Sequence, residues 1–169
     1  MLKIGECVPD VGGVSTMGRR IALREFRGKP LVVYFFLSTH RASIGCHQQA
    51  QRFRDNYPEI RQLGADVIGI SVDPVDLTCR FALGYQVTFP LIADQDHSCS
   101  LAFGVLRRFP QIDKRVTFIL NERGVVDAVF HHEFQVSRHL DDVLNHLRKR
   151  SGARGASGAG GDCAAEIGA

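Results

Sequence analysis

The stretch that decides the fold runs from Leu31 to Cys46 and reads LVVYFFL-STHRASIG-C. Its first part, Leu31 to Leu37, is continuously apolar and rich in β-branched and aromatic residues, the pattern of a central strand covered on both faces. A polar loop follows. From Cys46 onward, Cys46, Ala50, Phe53, Tyr57 and Ile60 recur at spacings of four, three, four and three. That periodicity predicts one face of an amphipathic helix reaching to Leu63, with Pro58 as a candidate kink. A buried strand, a loop and a helix that opens on an inward-facing cysteine form the centre of the chain.

Working outward, strand and helix signals alternate. VSTMGRRIAL (Val14 to Leu23) reads as a hairpin about Met17 and Gly18, followed by a short REF turn and Gly28. DVIGISV (Asp66 to Val72) is a second buried strand, Val75 to Leu83 a helix, and FPLIAD leads into a short helix at Ser98 to Phe103. RVTFIL and GVVDAVF flank the turn NERG as an antiparallel hairpin, and VSRHLDDVLNHLRKR supplies a last helix. The class is α/β, a central mixed sheet flanked by helices. Right-handed crossovers between parallel strands leave few topologies for it.

The 169 residues suit one domain with a substantial core, placed at residues 1–150. From Ser151 onward 12 of 19 residues are Gly or Ala. Such a stretch buries too little apolar surface to offset its ordering entropy, so residues 151–169 are expected to form a disordered tail. The net charge of +3 is mild and spread along the chain, which implies neither nucleic acid nor an anionic membrane as partner. No apolar run approaches the roughly 20 residues needed to span a bilayer. MLKIGECVPD lacks the plan of a signal peptide, so a cytoplasmic address is expected.

The five cysteines, Cys7, Cys46, Cys79, Cys99 and Cys163, are odd in number, scattered, and contain no C-x-x-C pair. This argues against a secreted disulfide scaffold and against a Cys-rich zinc site. Most scattered cysteines act as small buried hydrophobes. Cys46 differs in its setting. The unpaired amides and partial positive charge of a helix N-terminus favour thiolate over thiol. Such sites lower a cysteine pKa from about 8.5 into a range of roughly 3.5 to 7.5, and the thiolate is the nucleophile. His40 and His47 lie near Cys46, but the second cysteine of a C-x-x-x-C copper site is missing, and His131-His132 reads as a solvated pair. No metal is expected.

In its order of segments the chain resembles the peroxiredoxins, the alkyl hydroperoxide reductase/thiol-specific antioxidant superfamily, and most closely the bacterioferritin-comigratory-protein (PrxQ) branch. The segments are KIGECVPD, PLVVYFF, C-x-x-x-A-x-x-FRD from Cys46 to Asp55, LGADVIGISVD, FPLIADQD, AFGV and RVTFIL-x-x-x-G, over nearly all of residues 2–148. The resemblance implies a thioredoxin fold with an N-terminal β-hairpin extension. It implies a thiol peroxidase that needs no metal, haem or flavin and is recycled by thioredoxin or a similar dithiol protein. A monomer or weak homodimer is expected, with peroxide as substrate.

The same resemblance implies site residues. Cys46 is the peroxidatic nucleophile that becomes a sulfenic acid. Ser43, three residues earlier, takes the family's Thr or Ser position, which can hydrogen-bond the thiolate and the peroxide. Arg115, at the start of RVTFIL, is the family's arginine, which holds the sulfur ionised and stabilises charge on the leaving oxygen. The family's proline would fall at Thr39 and is absent, the loop before Cys46 is about two residues longer, and Gln49 stands where glutamate is common. The usual resolving positions are occupied by Gln51 and Ala82. Cys79, one helical turn before Ala82, is the leading resolving candidate, followed by Cys99 and by Cys163, which lies 13 residues beyond Arg150. A span of that length reaches roughly 40 Å. The altered loop raises a rival reading, a catalytically impaired redox sensor or binding module. A thiol-disulfide oxidoreductase is disfavoured because C-x-x-C is missing.

Overall fold

The computed structural model describes residues 1–36, 44–106, 115–131 and 136–153, the side chains of 44–46, 136, 137 and 153 excepted. The strands are β1 (Gly12–Ser15), β2 (Arg20–Ala22), β3 (Leu31–Phe35), β4 (Asp66–Ser71), β5 (Leu91–Ala93), β6 (Val116–Leu120) and β7 (Val126–His131). The helices are α1 (Ile44–Gln62), α2 (Val75–Gly84), α3 (Ser98–Phe103) and α4 (Val136–Ala153), with a 3-10 turn at Leu23–Phe26. The expected hairpin at Met17-Gly18 is the antiparallel pair β1–β2. α1 continues through Pro58. α4 runs to Ala153, three residues into the stretch expected to be tail.

The strands form one mixed sheet in the order β2-β1-β5-β4-β3-β6-β7. β3, β4 and β5 run parallel, while β6 pairs antiparallel with β3 and β7 antiparallel with β6. β3 explains its own composition. Val32, Tyr34 and Phe36 join the core under α1, α2 and α4, whereas Leu31, Val33 and Phe35 join the core on the other face with Val8, Cys99 and Phe103. A strand that alternates between two cores must be apolar at every position.

Two contacts set where α1 lies along β3. The ring of Tyr34 stacks on Phe53 with centroids 4.8 Å apart and 12° between planes. On β4, Gly69 leaves space for Tyr34, because a Cβ there would lie 2.8 Å from the Tyr34 Cζ. At the far end of α1, the Tyr57 hydroxyl donates to Asp66 Oδ1 at 2.7 Å and Arg61 donates to Oδ2 at 2.6 Å. Burial and the neighbouring Asp66 push the Tyr57 hydroxyl up to a pKa of about 12. The helix is fixed at its middle and its end, so its first turn stands above the end of β3 as a consequence.

Candidate active site

Cys46 lies in the first turn of α1, at the end of the sheet where β3 finishes. The preceding loop, with Thr39, His40 and Ser43, lies outside the described residues, as does the side chain of Cys46 itself. The turn is braced from the side. His47 stacks on Tyr85 at 4.7 Å and lies 6.0 Å from Phe81, and Phe81 in turn lies 5.0 Å from Phe36. His47 therefore packs against the α2 aromatics. Among the described residues no group of three or more metal-ligating side chains comes together.

Arg115 immediately precedes β6. In the antiparallel register Tyr34 faces Thr117, so Arg115 emerges at the end of the sheet where β3 ends and α1 begins. It is half-buried there. The topology thus brings the backbones of Cys46 and Arg115 to one edge, though they are 69 positions apart in sequence (115 minus 46).

The cysteines separate by position. Cys79 is a half-buried free thiol on α2, the helix whose Phe81, with Tyr85 just beyond its end, packs against His47 in the turn after Cys46. It flanks Ala82, which is buried. Cys99 is also free but wholly buried, in the core on the opposite face of the sheet from α1. Its helix is pinned by Asp94, whose carboxylate accepts from the backbone N–H groups of Cys99 at 2.9 Å and Ser100 at 2.8 Å. Burial first, and then the charge of Asp94, drive the Cys99 thiol far above its ordinary pKa. Cys163 lies outside the described residues.

Two features were not legible from the sequence. Gln49, one turn after Cys46, is 1% exposed, and neither of its amide atoms has a hydrogen-bond partner among the described residues. Only its place three residues after Cys46 gave a signal. Cys7, expected to be one more small hydrophobe, is exposed and is half of a disulfide. It lies in the KIGECVPD segment, but nothing there separated it from the other cysteines.

A model of the AhpC/TSA family matches residues 4–129. The chain belongs to that family. It is 36% identical over 132 residues to the chloroplastic peroxiredoxin Q of Sedum lineare, across 78% of this chain and 70% of that protein. It is 33% identical over 156 residues to peroxiredoxin Bcp of Escherichia coli, across 89% of this chain and 98% of that protein. Its fold matches the crystal structure of peroxidoxin BcpB from Mycobacterium tuberculosis with a TM-score of 0.80 at 29% identity, covering 88% of this chain and 98% of that one. The resemblance read from the segment order is borne out, the Q/Bcp branch and thioredoxin fold included. As a peroxiredoxin the chain is a thiol peroxidase. No helix among the described residues is long and apolar enough to cross a membrane.

Proposed function

We propose that this peroxiredoxin reduces hydrogen peroxide and small organic hydroperoxides through a sulfenic acid on Cys46. The observation that supports it is the position of Cys46 in the first turn of α1, at the sheet end from which Arg115 also emerges. The thiolate attacks one peroxide oxygen, a sulfur–oxygen bond forms, and the oxygen–oxygen bond breaks. The leaving oxygen departs as hydroxide or alkoxide and takes up a proton to give water or alcohol. Helix-end amides hold the thiolate and Arg115 offsets the charge that moves onto the leaving oxygen. Ser43 donates a hydrogen bond in the same pocket.

Cys79 is the resolving thiol in this reading. Its sulfur displaces the sulfenic oxygen of Cys46 as water and leaves a disulfide. A thioredoxin-type dithiol then reduces that disulfide and is itself oxidised. A disulfide requires Cα atoms within about 7 Å, so the first turn of α1 must unwind toward α2. The adjacency of the two elements through His47 and Tyr85 favours Cys79 over Cys99, which lies under the other face. The enzyme acts as a cytoplasmic monomer or weak dimer without metal, haem or flavin.

The test is peroxide consumption coupled to thioredoxin recycling. Cys46→Ser is expected to abolish turnover, and undiminished turnover would sink the proposal. Cys79→Ser is expected to keep the first oxidation and lose the disulfide to Cys46. A disulfide on Cys46 that survives in Cys79→Ser moves the resolving role to another cysteine.

A further inference from the structure

We infer that His139 is a positioning residue for Arg115, holding through Thr117 the strand that sets the arginine level with the first turn of α1. Thr117 and His139 are both 0% exposed, and Thr117 Oγ1 lies 3.0 Å from His139 Nδ1. The inference rests on the reading that Arg115 offsets charge beside Cys46, and names what holds it there.

The pair stands out from its surroundings. Among the described residues the buried side chains of α4 are His139, Leu140, Val143, Leu144 and Leu147, and β6 reads VTFIL. Replacing both partners of a buried hydrogen bond by apolar groups of the same shape is close to neutral for stability. Stability alone therefore gives no reason to set an imidazole and a hydroxyl into an aliphatic seam. A satisfied buried polar pair fixes one relative position, where aliphatic surfaces can slide. What it contributes is placement.

The register carries that placement to the site. Val116, Phe118 and Leu120 enter the core that holds Cys99, whereas Ile119 enters the core under α1, α2 and α4. The odd positions of β6 thus face the helices, and the same alternation sets Arg115 on that face. Thr117 pairs with Tyr34, on whose ring Phe53 of α1 stacks. From that level Arg115 lies two strand residues (117 minus 115), about 7 Å, toward the end of the sheet where Cys46 lies. Cys46 precedes Phe53 by seven residues (53 minus 46), about 10 Å of helical rise in the same direction. Along the sheet the two backbones are level to within about 3 Å.

Pairing between β3 and β6 stops at Thr117, so Arg115 stands beyond the last residue that β3 holds. His139 grips that last residue from the helix layer. The far end of α4 is anchored separately on β7, where His146 Nε2 lies 2.8 Å from Asp127 Oδ2 and Arg150 donates to the same carboxylate at 2.5 Å. With α4 fixed there, the His139 bond settles where the start of β6 lies beneath the helix.

The test uses the full chain with Thr117→Val or His139→Leu, each of which removes the bond, the first with little change of shape. Quenched-flow peptide mapping reads two rates at Cys46, oxidation by hydrogen peroxide and alkylation by iodoacetamide. Alkylation needs the thiolate but breaks no oxygen–oxygen bond, so a misplaced Arg115 slows the first reaction and spares the second. Oxidation should fall about tenfold in both variants, since a misplacement of about 1 Å can cost about 100-fold. The double variant should fall no further, because the same bond is lost in all three. His139→Asn, whose amide can take the place of Nδ1, should keep the rate of the unsubstituted protein even if it melts earlier. The inference is overturned if Thr117→Val or His139→Leu is oxidised at the unsubstituted rate, if alkylation slows in step, or if His139→Asn is as slow as His139→Leu. Arg115→Met separates it from the mechanism on which it rests. Slow oxidation in Arg115→Met beside full rates in Thr117→Val and His139→Leu overturns this inference alone. A full rate in Arg115→Met overturns the role of Arg115 in the mechanism, and this inference with it.

Discussion

The imidazole of His47 stacks on the ring of Tyr85, centroids 4.7 Å apart with 23° between planes, and so ties the turn that carries Cys46 to the helix that carries Cys79. The contact opposes the unwinding that a Cys46–Cys79 disulfide needs. In the proposed mechanism it also keeps α1 wound during attack on peroxide, when the helix-end amides must face the sulfur.

Tyr85→Leu should therefore shift the balance between the two steps. An aromatic pair contributes about 0.5–1.5 kcal/mol beyond its buried area, so the wound turn should lose a roughly twofold to tenfold advantage. The disulfide should form faster after oxidation, and the initial reaction with peroxide should slow. Quenched-flow mass spectrometry reads both rates. Unchanged rates for both steps would show that the stack does not hold the turn.

Phe53→Ala should destabilise the fold by about 3–5 kcal/mol, the usual range for deleting a fully buried aromatic ring. Phe53 is 0% exposed and lies against Tyr34. Chemical denaturation measures the loss. Phe53→Leu should lose less, because most of the space stays filled.

Acid should weaken the anchor of α4. Burial raises the Asp127 pKa, but the His146 hydrogen bond and the Arg150 guanidinium outweigh it and hold the carboxyl below its ordinary value. A group whose folded pKa is depressed contributes stability above its unfolded pKa, near 3.9, and loses that contribution as pH falls through the folded value. The loss should thus begin below about pH 4. Asp127→Asn should lower the melting temperature at pH 7 by roughly 1–4 °C and flatten its acid dependence. Parallel melting curves for the two proteins from pH 7 to pH 3 would contradict this.

Cys99 should stay silent in the native protein. Burial and Asp94 keep its thiol protonated at neutral pH. Iodoacetamide at pH 8 should modify Cys79 well before Cys99, with Cys99 reacting only in denaturant. Peptide mapping over a time course decides it, and equal native rates would contradict the placement.

Much of this was legible in the chain itself. The two-sided burial of β3 is written in its unbroken apolar run, and α3 occupies Ser98–Phe103 as its pattern predicts. The inward spacing of Ala50, Phe53 and Ile60 placed α1. What the sequence could not supply was which face each helix covers. Cys79 and Cys99 both sit on short helices, yet only Cys79 lies on the side of α1, because the side is set by each crossover and not by local periodicity. Arg115 was named from the family resemblance, and only the β3–β6 register brings its backbone to the sheet end where α1 begins. Cys7 was beyond reach for a similar reason, since its bridge to Val125 joins positions 118 apart in sequence (125 minus 7).

The most direct test of the central claim, that Cys46 takes the oxygen, is a dimedone trap. The Cys79→Ser protein is mixed with one equivalent of hydrogen peroxide in the presence of dimedone, and the adduct is located by peptide mapping. A dimedone adduct on Cys46, absent when Cys46→Ser is added, is the predicted result. Peroxide consumed with no adduct on Cys46, or an adduct on another cysteine in its place, would contradict it.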